Sequence, residues 1–99
     1  MTFQEVKEKH IKTLSQIIPI VARVHGPHHP EMYDVQEVFN TIMDKVNRDT
    51  HPVDLIDEFK KLREITSDYT VPNDVCETYE AVYQLLSESD QIYQKEIGK

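Results

Sequence analysis

Five histidines, one cysteine and a surplus of carboxylates are the residues of this chain that could do chemistry. Imidazoles bind transition metals and move protons near neutral pH. Three of them and an acid crowd into His25-Gly26-Pro27-His28-His29-Pro30-Glu31. That density suits a metal cluster, but the spacing is loose and two prolines stiffen it, so adventitious surface binding of nickel or zinc accounts for it as well. His10 and His25 lie 15 residues apart. On one helix that is about 22 Å, too far to share an ion whose ligands sit about 2 Å from it. Cys76 is the sole thiol, which excludes an intrachain disulfide. A helix N-terminus favours a thiolate. The acidic neighbours Asp74 and Glu77 oppose it, and no base adjoins it in sequence, so Cys76 reads as inert. No serine lies in a nucleophile-elbow context, and nothing marks a catalytic pair of carboxylates.

The elements that must position these groups read as helices throughout. Thr2-Phe3-Gln4-Glu5 has the form of a capping box. It opens a first helix with the apolar stripe Phe3, Val6, Leu14, Ile17/Ile18, Val21 and Val24, on which His10 and His25 also fall. Pro19 should kink this helix and Gly26-Pro27 end it. A second helix opens at Pro30-Glu31, with Met32, Val35, Val38/Phe39, Ile42 and Val46 inward. A third starts at Thr50 or His51, with Pro52 in its first turn and Leu55/Ile56, Phe59, Leu62 and Ile65 as its apolar face. Ser67–Thr70 is a loop. Pro72 starts the fourth and longest helix, with Val75, Tyr79, Val82, Leu86, Ser89/Asp90, Tyr93 and Ile97 as its stripe. Tyr79, Tyr83 and Tyr93 lie at core spacing. Asp90 interrupts the stripe and is expected to face solvent, leaving Ser89 inward.

Four amphipathic helices with short connections predict an all-α fold, an antiparallel up-down four-helix bundle, as one domain over residues 1–99. The end of the first helix and the start of the third are expected at the same end of it. That arrangement permits His25 and His51 to approach each other. The competing account is a capping or half-buried histidine at each position, bonded to backbone.

Composition narrows the function. The 99-residue chain has 11 basic and 18 acidic side chains, a net charge of −7. A nucleic-acid or anionic-membrane partner needs the opposite balance. No run is long and apolar enough to span a bilayer, and the N-terminus lacks a signal-peptide segment. A cytoplasmic location is expected. Two glycines exclude a phosphate-binding glycine loop or a dinucleotide fingerprint.

Two stretches resemble a known family. Val21-Ala22-Arg23-Val24-His25-Gly26, followed by His29-Pro30-Glu31-Met32, is similar to the RVHG…HPE segment of the RIC (repair of iron centres) proteins. Phe59 to Pro72, continuing through Asn73-Asp74-Val75-Cys76-Glu77-Thr78-Tyr79, resembles that family's LReiT…YtvP…C…tY run. RIC proteins are hemerythrin-like di-iron proteins associated with repair of iron–sulfur clusters after oxidative or nitrosative damage. The resemblance implies a hemerythrin-type bundle and ligand roles for His25 and His51. The family's remaining ligands do not carry over. Its first-helix histidine falls on Gln4, its second-helix His-x-x-x-Glu is missing, and its last-helix pair falls on Lys95 and Lys99. A di-iron centre needs several carboxylates and more histidines than remain.

The expectation is therefore a shortened, degenerate relative that keeps the bundle. It would be a non-enzymatic interaction or accessory module in iron–sulfur repair and stress response, working as a homodimer or with a protein partner. The expected dimer contact is the last helix, through Leu85, Ile92 and Tyr93. No bound cofactor is expected, although the resemblance implies iron. The alternative is an iron or zinc protein with a reduced site at His25 and His51, completed by Glu31 or Asp54.

Overall fold

The structure is a computed structural model that describes residues 2–48 and 54–97. Every regular element among the described residues is helical, and no strand occurs there. The first helical rod has three parts in unbroken succession: α1 (Phe3–Val6), a π-helical stretch (Lys7–Ile11) and α2 (Lys12–His25). Its start is the expected capping box. The Glu5 amide donates to Thr2 Oγ1 at 3.2 Å, and the Thr2 amide to Glu5 Oε1 at 3.1 Å. The capped carboxyl of Glu5 is held below its usual range, chiefly by the Thr2 backbone N–H.

The π-helical stretch was not legible as such; the apolar stripe contained His10 but not Ile11. The stretch adds a residue to the turn and brings both His10 and Ile11 to the buried side, between the Val6 and Leu14 layers. The helix continues through Pro19 to His25. Gly26 closes it, donating to the Ala22 carbonyl at 2.9 Å. A Cβ at position 26 would collide with the end of the Tyr33 ring and with the Ala22 carbonyl; the backbone clash is the one that cannot give, so glycine suits this position. Val24, counted in the inward stripe, stands exposed instead.

The next helix, α3 (Glu31–Arg48), opens at Pro30-Glu31 as expected and buries Met32, Val35, Phe39, Ile42 and Val46. The third, α4 (Ile56–Ile65), is shorter than the sequence suggested. Thr50, His51 and Pro52, the expected start, lie outside the described residues. Asp54 and Leu55 precede the helix, and Asp54 Oδ1 accepts from the Ile56 amide at 3.2 Å. Phe59 and Leu62 are fully in the core, as read.

The loop after α4 is tied tightly. Ser67, Asp68 and Tyr69 all have positive φ (52°, 62° and 62°), an unusual run for residues with side chains. Thr66 Oγ1 holds it by accepting from the Tyr69 amide, and the Arg63 carbonyl accepts from the Asp68 amide, both at 2.8 Å. The last helix, α5 (Glu77–Ile97), starts five residues later than Pro72. Pro72 disfavours helix in the residue before it, and the chain turns through Asn73 and Asp74. The helix begins where the Cys76 carbonyl accepts from the Glu80 amide, 3.1 Å.

Contacts at the two ends position everything else. At one end the Phe3 amide donates to Glu96 Oε1 at 2.8 Å, the Phe3 and Tyr93 rings meet edge to face, and Tyr93 Oη accepts from the Leu55 amide at 2.8 Å. At the other end His25 touches Cys76 and Tyr79. The start of the first rod thus meets the end of α5, and its end meets the start of α5. The start of α4 belongs to the Tyr93 end. The sequence reading had placed it at the His25 end. The reason is simple: α4 begins after α3 has carried the chain away from His25.

Asp90 corrects a second reading. It is 3% exposed, not solvent-facing. Arg63 Nη1 lies 2.7 Å from both its carboxylate oxygens, Tyr69 Oη donates to it at 2.8 Å, and Gln94 Nε2 at 3.0 Å. Three donors offset the cost of burying the charge. Burial pushes the Tyr69 phenol well above its usual range, and the bond to Asp90 adds to that. Glu58 is a second buried acid, satisfied by Lys45 Nζ at 3.0 Å.

Candidate functional site

A group of metal-ligating and titratable side chains lies where α2 ends, α3 starts and α5 starts. Tyr79, buried on the first turn of α5, is its centre. The His25 and His29 rings pack edge to face on it, with centroids 5.3 and 5.4 Å away. Its hydroxyl donates to Glu31 Oε1 at 3.1 Å and shares a 3.1 Å hydrogen bond with Tyr83. Burial first, and this mutual hydrogen bonding second, push the Tyr79 phenol far up; burial also raises Tyr83. Both therefore act as neutral O–H groups.

Glu31 Oε1 takes a second contact, from His29 Nδ1 at 3.0 Å. The local turn explains the placement. The amides of His28 and His29 both donate to the His25 carbonyl, which folds His29 back toward His25 and sets Glu31 at the head of α3. His29 Nε2 lies 3.2 Å from Asp74 Oδ1. That approach is out of line for an N–H bond, so Nε2, sealed from solvent, has no hydrogen-bond partner. Beside His29 on Tyr79, with its ring centroid 6.4 Å from that of His29, His25 places Nε2 3.1 Å from Cys76 Sγ.

Of the residues singled out in the sequence, His25 and Glu31 are thus brought to one cluster through Tyr79. Asp54 is not. Its carbonyl accepts from Lys45 Nζ at 3.2 Å, beside the Tyr93 end of the molecule. Tyr79 and Tyr93 are 14 residues apart on α5, about 21 Å of helix. His51 lies outside the described residues. His28 is exposed. His10 is buried elsewhere along the rod, 3.1 Å from Glu88 Oε1.

Sequence reasoning reads Cys76 as inert and Asp74 only as its acidic neighbour. Cys76 has no base near it in sequence, because its partner imidazole comes from 51 positions away. Only the resemblance, which contained both the RVHG histidine and the cysteine, offered a signal.

The di-iron positions implied by the resemblance do not fit such a centre. Gln4 is exposed and its amide reaches Glu8 Oε1 at 3.3 Å. Lys95 is exposed and cationic. Lys99 lies outside the described residues.

Fold and side chains together define an all-helical protein with imidazole, carboxylate, phenol and thiol groups gathered at the junction of three helices. Among curated proteins it is similar to the iron–sulfur cluster repair protein ScdA of Staphylococcus haemolyticus, 26% identical over 116 residues, covering 85% of this chain and 52% of that protein. ScdA of two Staphylococcus epidermidis strains is 23% identical over the same extent. The chain thus spans about half the length of the curated relatives it matches, and the relationship is distant. No protein-family model and no solved structure matches it.

Proposed function

We propose that this chain is a hemerythrin-like module, an antiparallel four-helix bundle, that serves iron–sulfur cluster repair as a non-enzymatic accessory or interaction protein in the stress response of the cytoplasm. The observation that carries this reading is the similarity to ScdA over 85% of the chain. The end-to-end contacts of the first rod and α5 support the bundle. The exposed, non-ligating side chains of Gln4 and Lys95 support the loss of di-iron chemistry. The chain is in this reading a degenerate and shortened relative.

Its action is through contact, with a protein partner or a second copy. The expected dimer face needs revision, because Tyr93 is buried in the core. Ile20, Val24, Tyr33, Ile56 and Ile97, about half exposed each, are the large apolar side chains among the described residues that a partner would cover. In cells lacking the chain, an iron–sulfur dehydratase inactivated by nitric oxide should recover its activity more slowly than in the parent. Equal recovery rates in both would overturn the repair role.

A further inference from the structure

The cluster around Tyr79 has a feature that packing does not account for. His29 Nε2 is buried, carries no hydrogen bond and faces the Asp74 carboxylate at 3.2 Å. Its other nitrogen is engaged by the Glu31 carboxylate at 3.0 Å. A carboxylate on Nδ1 fixes the proton there and leaves the Nε2 lone pair free, which is how metal-ligating histidines are oriented. A lone pair beside a carboxylate oxygen repels it unless a cation lies between them. Next to His29 on the same Tyr79 ring, the Cys76 thiol and the His25 Nε2 stand 3.1 Å apart.

We propose that His25, His29 and Cys76, with Asp74 as fourth ligand, take one divalent transition-metal ion of the zinc or ferrous type. The inference is independent of the repair role and differs from the His25/His51 pair that the sequence suggested. The ligand types are those of a tetrahedral nitrogen–sulfur–oxygen site. At bond lengths of about 2.0–2.3 Å, two ligands of one tetrahedral ion stand about 3.3–3.6 Å apart. The His25–Cys76 and His29–Asp74 pairs, at 3.1 and 3.2 Å, are already near that.

The two pairs are not yet closed on one point. Among the described residues no three such side chains stand ready around an ion. The two imidazole centroids are 6.4 Å apart, against about 5.2 Å for two rings on one tetrahedral ion. Binding would draw the two rings together by about 1 Å. Cys76 and Asp74 are exposed, and His25 is not fully buried. The cation would also meet the negative end of α2, whose last residue is His25. Cys76 would lose its proton to solvent on binding.

Cobalt(II) is the probe, added to the untagged chain, with the helical circular-dichroism spectrum checked for every variant. The expected result is one equivalent bound, with tetrahedral bands in the visible and a sulfur-to-cobalt charge-transfer band in the near ultraviolet. C76S should lose the charge-transfer band while staying helical. H25Q should weaken binding strongly, and E31Q, which only orients His29, by at least about tenfold. H28Q, in the same histidine-rich turn, should bind like the parent. Absence of binding would overturn the proposal. So would binding that survives C76S but is lost in H28Q, which is adventitious capture by the turn.

Discussion

At the residue scale, Asp90 shows how a charged side chain ends up in a core. Its place in the apolar stripe of α5 was visible; its partners were not, because Arg63 and Tyr69 come from another helix and the loop after it. Removing Arg63 leaves a buried carboxylate with only neutral donors. R63A should cost about 3 kcal/mol in chemical denaturation, more than surface ion pairs do. A loss under about 1 kcal/mol would show that Asp90 is hydrated. Tyr69 gives a pH prediction. Its phenol titrates higher in the folded protein than in the unfolded chain, because burial and Asp90 oppose its ionisation. The native state then keeps a proton that the unfolded state gives up above pH about 10. Stability is whole below that pH and falls as pH rises past it. Y69F should flatten the alkaline limb of the stability curve; an unchanged slope would assign that limb to other groups. Phe59 is the plain core case, and F59A should cost about 3–5 kcal/mol.

At the element scale, the junction after α2 depends on Gly26. Any side chain there meets the Tyr33 ring and the Ala22 carbonyl. G26A should therefore destabilise by about 1–3 kcal/mol, although alanine ordinarily favours helix over glycine. A neutral or stabilising result would mean that the Tyr33 ring and the end of α2 yield to the added methyl. The same junction sets His29 against Tyr79 through the two amide bonds to the His25 carbonyl. Helix starts were the least legible elements. The capping box at Thr2 is a local signal and was read correctly. The start of α5 moved from Pro72 to Glu77 because Asn73 and Asp74 turn the chain first, and its first helical bond, from the Glu80 amide to the Cys76 carbonyl, has no sequence signature.

At the scale of the whole molecule, the buried apolar side chains of the described residues form one core, and the molecule is about 38 × 22 × 21 Å in extent. No helix among them is long and apolar enough to cross a membrane. The half-exposed Ile20, Val24 and Tyr33 make self-association the prediction to test. Sedimentation at high concentration should give twice the 11.6 kDa chain mass, and V24D should return it to a monomer. A wild-type monomer at all concentrations would leave those side chains to a different partner, or to none.

Periodicity alone determined that the chain is helical and most of each inward face, because an apolar residue every three or four positions has no other way to leave water; Val24, Ile56 and Ile97, counted inward, stand about half exposed. Phe59, Leu62, Tyr79 and Leu86 were legible on that ground. The acidic balance likewise follows from counting. The tertiary structure decided which distant groups meet. It placed the start of α4 at the Tyr93 end, and it brought Cys76 to His25, Asp74 to His29 and Arg63 to Asp90. No periodicity encodes those pairings. They depend on where each helix ends and how the loops return the chain, and three successive residues with positive φ at Ser67–Tyr69 are held there by bonds from side chains that the local sequence does not announce.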